Sequence, residues 1–380
     1  MRWAWADVDL DAIASNIRFV RNLVQPSSVW AVVKADAYGH GAVPVARAAI
    51  AAGAEGLCVA LVQEGVELRS AGIEQPILVL SEQPEEELDQ LVTNRLTATL
   101  YSLEGVVALA DAVRRVGGSN RQQVHLKIDT GMHRLGAQPG DALIIADAIA
   151  DHGVLELQGI FTHLAMADEP TAKANALQVQ RFDWVVAALD EAGHRPPLVH
   201  VANSAGALAL ADTRHSLVRV GIAMYGIVPG PRLSEMCADL QPALSLVSRV
   251  GHVKRVAAGE GISYGLRHTV TCETTIATVP VGYADGVPRR LFANGGEVLL
   301  GGIRRPIVGA VTMDQLMVDC GDDTVGVGDE VVLIGRQESA HGSDEIRAEE
   351  WADRLGTIGY EIVCGISQRV ERRYSIASTQ

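Results

Sequence analysis

The chain has 380 residues, 48% of them hydrophobic and 21% charged, and carries a formal net charge of -14 at neutral pH. Those proportions exclude a disordered polymer and supply more core than one ordinary domain uses, so a large domain plus a smaller one is expected. The negative charge, with no basic cluster to offset it, argues against nucleic acid or an anionic membrane surface as a partner.

Cys58, Cys237, Cys272, Cys320 and Cys364 lie far apart, with no Cys-x-x-Cys pair, which is not the pattern of a disulfide framework. Asp7 and Asp9 fall where a signal peptide needs an apolar run, and no stretch of about 18 apolar residues occurs anywhere. A cytoplasmic protein is expected.

In chain order, Leu10 to Val24 carries apolar residues at helical spacing. Short apolar runs then alternate with longer Ala-rich amphipathic segments, the rhythm of βα units around a parallel sheet. The candidate strands are Val29–Val33, Leu57–Ala60, Ile77–Leu80, Thr97–Leu100, Val124–Ile128, Leu157–Phe161, Leu198–Val201 and Leu217–Val220. Eight such runs, without a glycine-rich first turn, favour a (β/α)8 TIM-type barrel over a doubly wound sheet. The barrel is assigned residues 1–240. Past Pro229-Gly230-Pro231 the rhythm changes to valine-rich runs such as Leu244–Val250, Thr274–Val281, Val298–Leu300 and Val331–Ile334, broken by frequent glycines. Residues 241–380 are therefore read as a mostly β domain, with one helix from Arg347 to Leu355.

A TIM-type barrel does its chemistry where its strands end at the C-terminal mouth, with a phosphate site near strands seven and eight. Lys34, Lys127 with Arg134, His163, Asn203-Ser204 and Arg219 to Gly221 all fall at such ends. Burial at a strand end lowers a lysine's pKa and frees its amine to form a Schiff base with an aldehyde cofactor. An isolated lysine there would more often simply snorkel to solvent.

The wider pattern changes that balance. Ala31-Val-Val-Lys-Ala-Asp-Ala-Tyr-Gly-His-Gly41 resembles the cofactor segment of the alanine racemases. Seven further segments resemble the family in the same order: 125–132 with 134–136, 201–204, 219–221, 261–265, 281–286, 313–319 and 357–361.

The resemblance implies a homodimer with composite sites that interconverts L- and D-alanine with pyridoxal 5'-phosphate, supplying D-alanine for peptidoglycan. It implies Lys34 as cofactor anchor and one base, and Tyr264 as the opposed base. Tyr38, Ser204 beside Asn203, Gly221 with Ile222, and Tyr360 would hold the phosphate. Arg219 would face the pyridine nitrogen. Because an arginine is never deprotonated, it would leave that nitrogen neutral and limit the ring as an electron sink. His163 would relay between Tyr264 and Arg219. Arg134 and the Met313 N–H would bind the substrate carboxylate. Lys127 would be a possible carbamate that holds Arg134, and Tyr283 and Asp314 would narrow the entrance. The chain departs from a common family form at His133, where glycine is usual.

The rivals are a broader-specificity racemase acting on serine or other amino acids, a PLP-dependent decarboxylase, and a non-catalytic PLP-binding barrel. A decarboxylase would put a carboxylate where Arg219 stands, and a single barrel would lack the half that carries Tyr264. No His-x-His, His-Glu-x-x-His or cysteine cluster occurs among the 11 histidines and five cysteines, so no metal is expected.

Overall fold

A computed structural model of the chain describes residues 3–118, 120–339 and 342–375. The chain divides into two compact units. One comprises Ile13–Ala37 and Ala42–Leu240; the other gathers the chain up to Ala12, Tyr38–Gly41 and the chain from Gln241 onward.

The strands in chain order begin with β1 (Ala4–Asp9), followed by the eight strands of the first unit. These are β2 (Ser28–Val32), β3 (Gly56–Val59), β4 (Ile77–Val79), β5 (Ala98–Leu100), β6 (Gln122–Lys127), β7 (Leu155–Phe161), β8 (Leu198–His200) and β9 (Leu217–Val220). They lie within one or two residues of the runs read from sequence. Two parallel four-stranded sheets, ordered β4-β3-β2-β9 and β5-β6-β7-β8, make up the wall. Thr97 N–H to Ile77 O (2.8 Å) and Val79 N–H to Thr97 O (3.0 Å) close one seam. Ser216 N–H to Val199 O (3.1 Å) and Arg219 N–H to Ala202 O (3.0 Å) close the other. The result is a (β/α)8 barrel. Its strands read as unbroken apolar runs because helices cover the outside and packed side chains fill the inside.

The second unit is a ten-stranded, mainly antiparallel sheet. To β1 it adds β10 (Leu244–Arg249), β11 (His252–Val256), β14 (Thr274–Val279), β15 (Glu297–Leu300), β16 (Ile303–Val308), β17 (Leu316–Asp319), β18 (Glu330–Ser339), β19 (Gly342–Ile346) and β20 (Glu371–Ser375). The short hairpin β12 (Gly261–Ile262) and β13 (His268–Thr269) stands apart from that sheet. A helix spans Ala348–Leu355, as the spacing predicts, and a second, Gly359–Cys364, was not anticipated.

The division expected at residue 240 needs refinement at the N-terminus. Strand β1 pairs antiparallel with β10 (Trp5 opposite Val247) and parallel with β20 (Asp7 opposite Arg373), and so belongs to the β unit. Asp7 accepts the Trp5 indole N–H at 2.8 Å, and the Arg373 guanidinium lies 4.4 Å from the centre of the Trp5 ring. Asp9 then caps the Leu10–Val24 helix, its carboxylate accepting the N–H groups of Asp11 and Ala12, both at 2.9 Å. No helix among the described residues is long and apolar enough to cross a membrane.

Candidate active site

Lys34 follows β2 after one intervening residue, Val33, and is half-buried. The chain after it is unusual, since Ala35, Asp36, Ala37 and Tyr38 have φ of 52°, 51°, 52° and 55°, one turn of left-handed helix built without glycine. Each such residue costs roughly 1–2 kcal/mol, so the surroundings must hold the turn in place. Glu64 does so from a neighbouring helix. One carboxylate oxygen accepts Ala35 N–H at 2.6 Å, and the other accepts Ala60 N–H at 2.7 Å and Leu61 N–H at 3.1 Å. Asp36 in turn accepts Ala42 N–H at 2.7 Å. Glu64 carries no motif and was missed in the sequence. Glu64→Ala is expected to cost about 1–3 kcal/mol of stability, and to weaken cofactor retention, because three backbone donors lose their acceptor. Thermal unfolding and cofactor absorbance after dialysis would read both effects, with unchanged values counting against this role.

The barrel gathers cations at this mouth. Arg219 is buried, and its guanidinium donates to His200 Nδ1 (2.7 Å), Thr162 O (2.8 Å), Val201 O (3.1 Å) and, at 3.4 Å, His163 Nδ1. No carboxylate is among those partners. Burial lowers its pKa to about 10, still far above neutrality, so it remains a cation. His163 is held well below the usual histidine range by burial, then by Arg219, Arg134, Lys127 and Lys34, and is therefore neutral. Since Arg219 can only donate, the His163 proton sits on Nε2. Lys127 donates to Leu80 O at 3.1 Å, and burial, followed by the fields of Arg219, Arg134 and Lys34, lowers it to about 8. Lys127, Arg134 and His163 line one crevice.

Asn203, rather than Ser204, is the cap of the Ser204–Ala209 helix, its side-chain oxygen accepting Gly206 N–H at 3.0 Å. Ser204 Oγ accepts the N–H groups of Gly221 (2.9 Å) and Ala223 (3.3 Å), which ties the end of β9 to that helix. The Gly221 N–H, expected at the phosphate, is thus directed at Ser204. A hydroxyl that accepts two N–H bonds can still donate its own proton to an anion. Such a hydroxyl, the cluster of cations and a buried guanidinium without a carboxylate partner together fit a phosphorylated cofactor that needs a donor facing its ring nitrogen. Among the described residues, no group of three or more His, Cys, Asp or Glu side chains could hold a metal.

His133 has φ +56°, which explains why glycine suits that position. Histidine is among the side chains that tolerate the left-handed region. Asp129 also steadies the turn, accepting the N–H groups of Gly131 (2.9 Å), Met132 (3.0 Å) and His133 (3.0 Å).

Ile222, buried after Gly221, is in the barrel unit, while Tyr38, Tyr264, Tyr283, Met313, Asp314 and Tyr360 lie in the β unit. Tyr38 and Tyr360 have ring centroids 6.0 Å apart. Tyr264 stands at the tip of the β12–β13 hairpin, 73% exposed. Around it Ser263, Gly265 and Leu266 have φ of 62°, 75° and 45°, and Ser263 Oγ anchors the tip by donating to Ala310 O at 2.7 Å. Ile262 roots the hairpin against Val270, Ile276 and Val308. Tyr283 and Met313 are brought together: Tyr283 N–H donates to Thr312 O (2.9 Å) and Ala284 N–H to Met313 O (3.0 Å). A Cβ on Gly282 would lie 2.3 Å from Thr312 O, so only glycine allows this approach. Asp314 accepts from the Arg369 guanidinium at 2.7 Å.

Known proteins align along nearly the whole chain. The alanine racemase N-terminal domain family matches residues 8–229, and the alanine racemase C-terminal domain family matches residues 243–374. An alanine racemase of Symbiobacterium thermophilum is 49% identical over 375 residues, covering 98% of this chain and 97% of that protein. The alanine racemase crystal structure from D-cycloserine-producing Streptomyces lavendulae superposes with TM-score 0.92 at 38% identity, covering 100% of this chain and 98% of that one. A histidine racemase from Leuconostoc mesenteroides superposes with TM-score 0.89 at 27% identity, covering 99% and 98%. From its barrel and β unit to its matched motifs, the chain belongs to the alanine racemase family.

Proposed function

We propose that Lys34 and Tyr264 are the two bases with which this chain, a pyridoxal 5'-phosphate-dependent racemase, interconverts L- and D-alanine. The observation that carries the reading is the Arg219 cluster, a buried guanidinium with neutral histidines and no carboxylate partner. When bound, the cofactor supplies an aldehyde that takes the substrate amine and a ring that delocalises the electrons left at Cα. The residues do the rest. The Lys34 amine would remove or return the α-proton on one face, and the Tyr264 hydroxyl would serve the opposite face. The His163 Nε2–H supports this role, since it can donate to the Tyr264 oxygen and stabilise it when deprotonated. Arg219 stays protonated and never gives a proton to the ring nitrogen, which favours racemisation over transamination.

Ser204, Tyr38, Tyr360 and the Ile222 N–H would hold the cofactor phosphate in this reading, while the Gly221 N–H, which donates to Ser204, orients that hydroxyl. Arg134 and Met313 N–H hold the substrate carboxylate, while Tyr283 and Asp314 narrow the entrance. Lys127 is a carbamate: its neutral amine bonds to the carbon of carbon dioxide, one proton leaves, and the resulting anion pairs with Arg134. A pKa of about 8 supports this, since the neutral fraction grows as pH rises through that value. With labelled bicarbonate, a carbamyl carbon signal is expected to strengthen over the same interval and to vanish in Lys127→Met. A signal that does not change with pH, or that survives the substitution, would remove the assignment.

The enzyme works as a head-to-tail homodimer in which Tyr264 completes the partner's site. The exposure of Tyr264 (73%), Leu266 (65%) and Met313 (53%) supports this, because such side chains at a rigid tip are what a subunit interface covers. No disulfide joins any of the five cysteines, which suits the cytoplasm. The test of function is a racemisation assay across alanine, serine, histidine and lysine with added cofactor. Alanine is expected to be turned over fastest, and preference for a larger side chain would place the enzyme with the broader racemases.

A further inference from the structure

Behind Arg219 lies a row of polar groups that the racemisation chemistry has not yet used. His200 and His125 are both fully buried. Arg219 Nη1 is 2.7 Å from His200 Nδ1, His200 Nε2 is 2.9 Å from His125 Nδ1, and His125 Nε2 is 3.3 Å from the side-chain oxygen of Gln158. These contacts have a direction, because a guanidinium has five N–H donors and no acceptor. His200 Nδ1 must therefore accept, which leaves the His200 proton on Nε2. That proton is given to His125 Nδ1, so the His125 proton is also on Nε2, where Gln158 accepts it.

Packing holds the row in place. The Phe161 ring stacks on His200 with centroids 4.7 Å apart and planes 7° apart, and the Arg219 guanidinium lies 5.1 Å from the same ring. Trp30 lies against His125 at 5.9 Å. Strand β7 makes room for His125 with Gly159, where a Cβ would sit 2.7 Å from the imidazole. Burial also keeps both rings uncharged: His125 is lowered to about 4, and His200 lies well below the usual range with Arg219 adding to the effect.

We propose that His200, His125 and Gln158 are positioning residues, forming a one-way row of hydrogen bonds that runs from Arg219 to the Gln158 amide oxygen and fixes the orientation of the guanidinium. A flipped tautomer at either histidine sets N–H against N–H, so the row has one self-consistent arrangement. Arg219, which can only donate, selects it, and Gln158 closes the far end by accepting the last proton. The functional consequence rests on the reading that Arg219 faces the cofactor ring; the tautomers do not.

The test joins spectroscopy with kinetics on the holoenzyme. Nitrogen-15 spectra of histidine-labelled protein, assigned with His125→Gln and His200→Gln, are expected to show both rings neutral with the proton on Nε2 from about pH 5.5 to 8. A proton on Nδ1 of either ring would overturn the proposal, even if the variants fail to fold. Gln158→Leu, which takes the acceptor from the His125 Nε2–H, is expected to shift the His125 nitrogen resonances while the proton stays on Nε2, and to lower kcat by roughly 3- to 10-fold with KM for alanine within about twofold. Gln158→Glu, which restores an acceptor, is expected to recover both. A shift of those resonances without any loss of kcat would remove the positioning role. A wild-type enzyme that does not racemise alanine would count against the proposed function and leave the tautomer measurement readable.

Discussion

Lys34→Ala is expected to lower racemisation by at least about 10⁴-fold, since one side chain both anchors the cofactor and serves as a base, and a positioned acid or base alone contributes 10²–10⁴-fold. The protein should still fold, because Lys34 follows β2 and the turn behind it is held by Glu64 and Asp36. A coupled assay for D-alanine formation reads the loss. Borohydride treatment of the wild-type holoenzyme, followed by peptide mapping, should place the cofactor mass on Lys34. Its appearance on another lysine would move the anchor.

Mixing Lys34→Ala with Tyr264→Phe subunits is expected to restore activity that neither variant has alone. If Tyr264 serves the partner's site, a mixed dimer contains one site with both defects and one with neither. Random pairing makes half of the dimers mixed, and each mixed dimer has one intact site of two, so recovery should approach a quarter of wild-type activity. Dilution that separates subunits should reduce it. No recovery after verified exchange would mean that both bases come from one chain. A high value is reachable because Tyr264 sits on a rigid hairpin tip and brings its geometry with it.

The barrel was legible because most of its strands are buried on both sides and therefore appear as apolar runs with little alternation, as in Val29–Val33. Strand β1 was not, because Asp7 and Asp9 interrupt it and its pairing partners, β10 and β20, lie at the other end of the chain. The left-handed turn at Ala35–Tyr38 runs against the local preference of every residue in it, and only an acceptor some thirty residues on, Glu64, makes it tenable.

The candidate site divides in the same way. Lys34, Arg219, Tyr264 and their companions could be named because whole segments resemble a family, which residue type alone would not have justified. His125 lies inside one of those segments, yet its link to His200 and Gln158 depends on how β6, β7 and β8 lie side by side. Periodicity marks such a residue as buried but does not name its partner. Ser204 shows the smaller version of this limit: the adjacent Asn203 takes the helix cap and leaves Ser204 to bind Gly221 and Ala223, a partnership its place in the chain does not reveal.

The opposed-base assignment is tested most directly by α-proton exchange into deuterium oxide with Tyr264→Phe, measured separately from L-alanine and from D-alanine. Exchange from the enantiomer served by Lys34 should continue, while exchange from the other and racemisation itself fall by roughly 10²-fold or more. Equal exchange from both enantiomers, with racemisation retained, would contradict a second base at Tyr264.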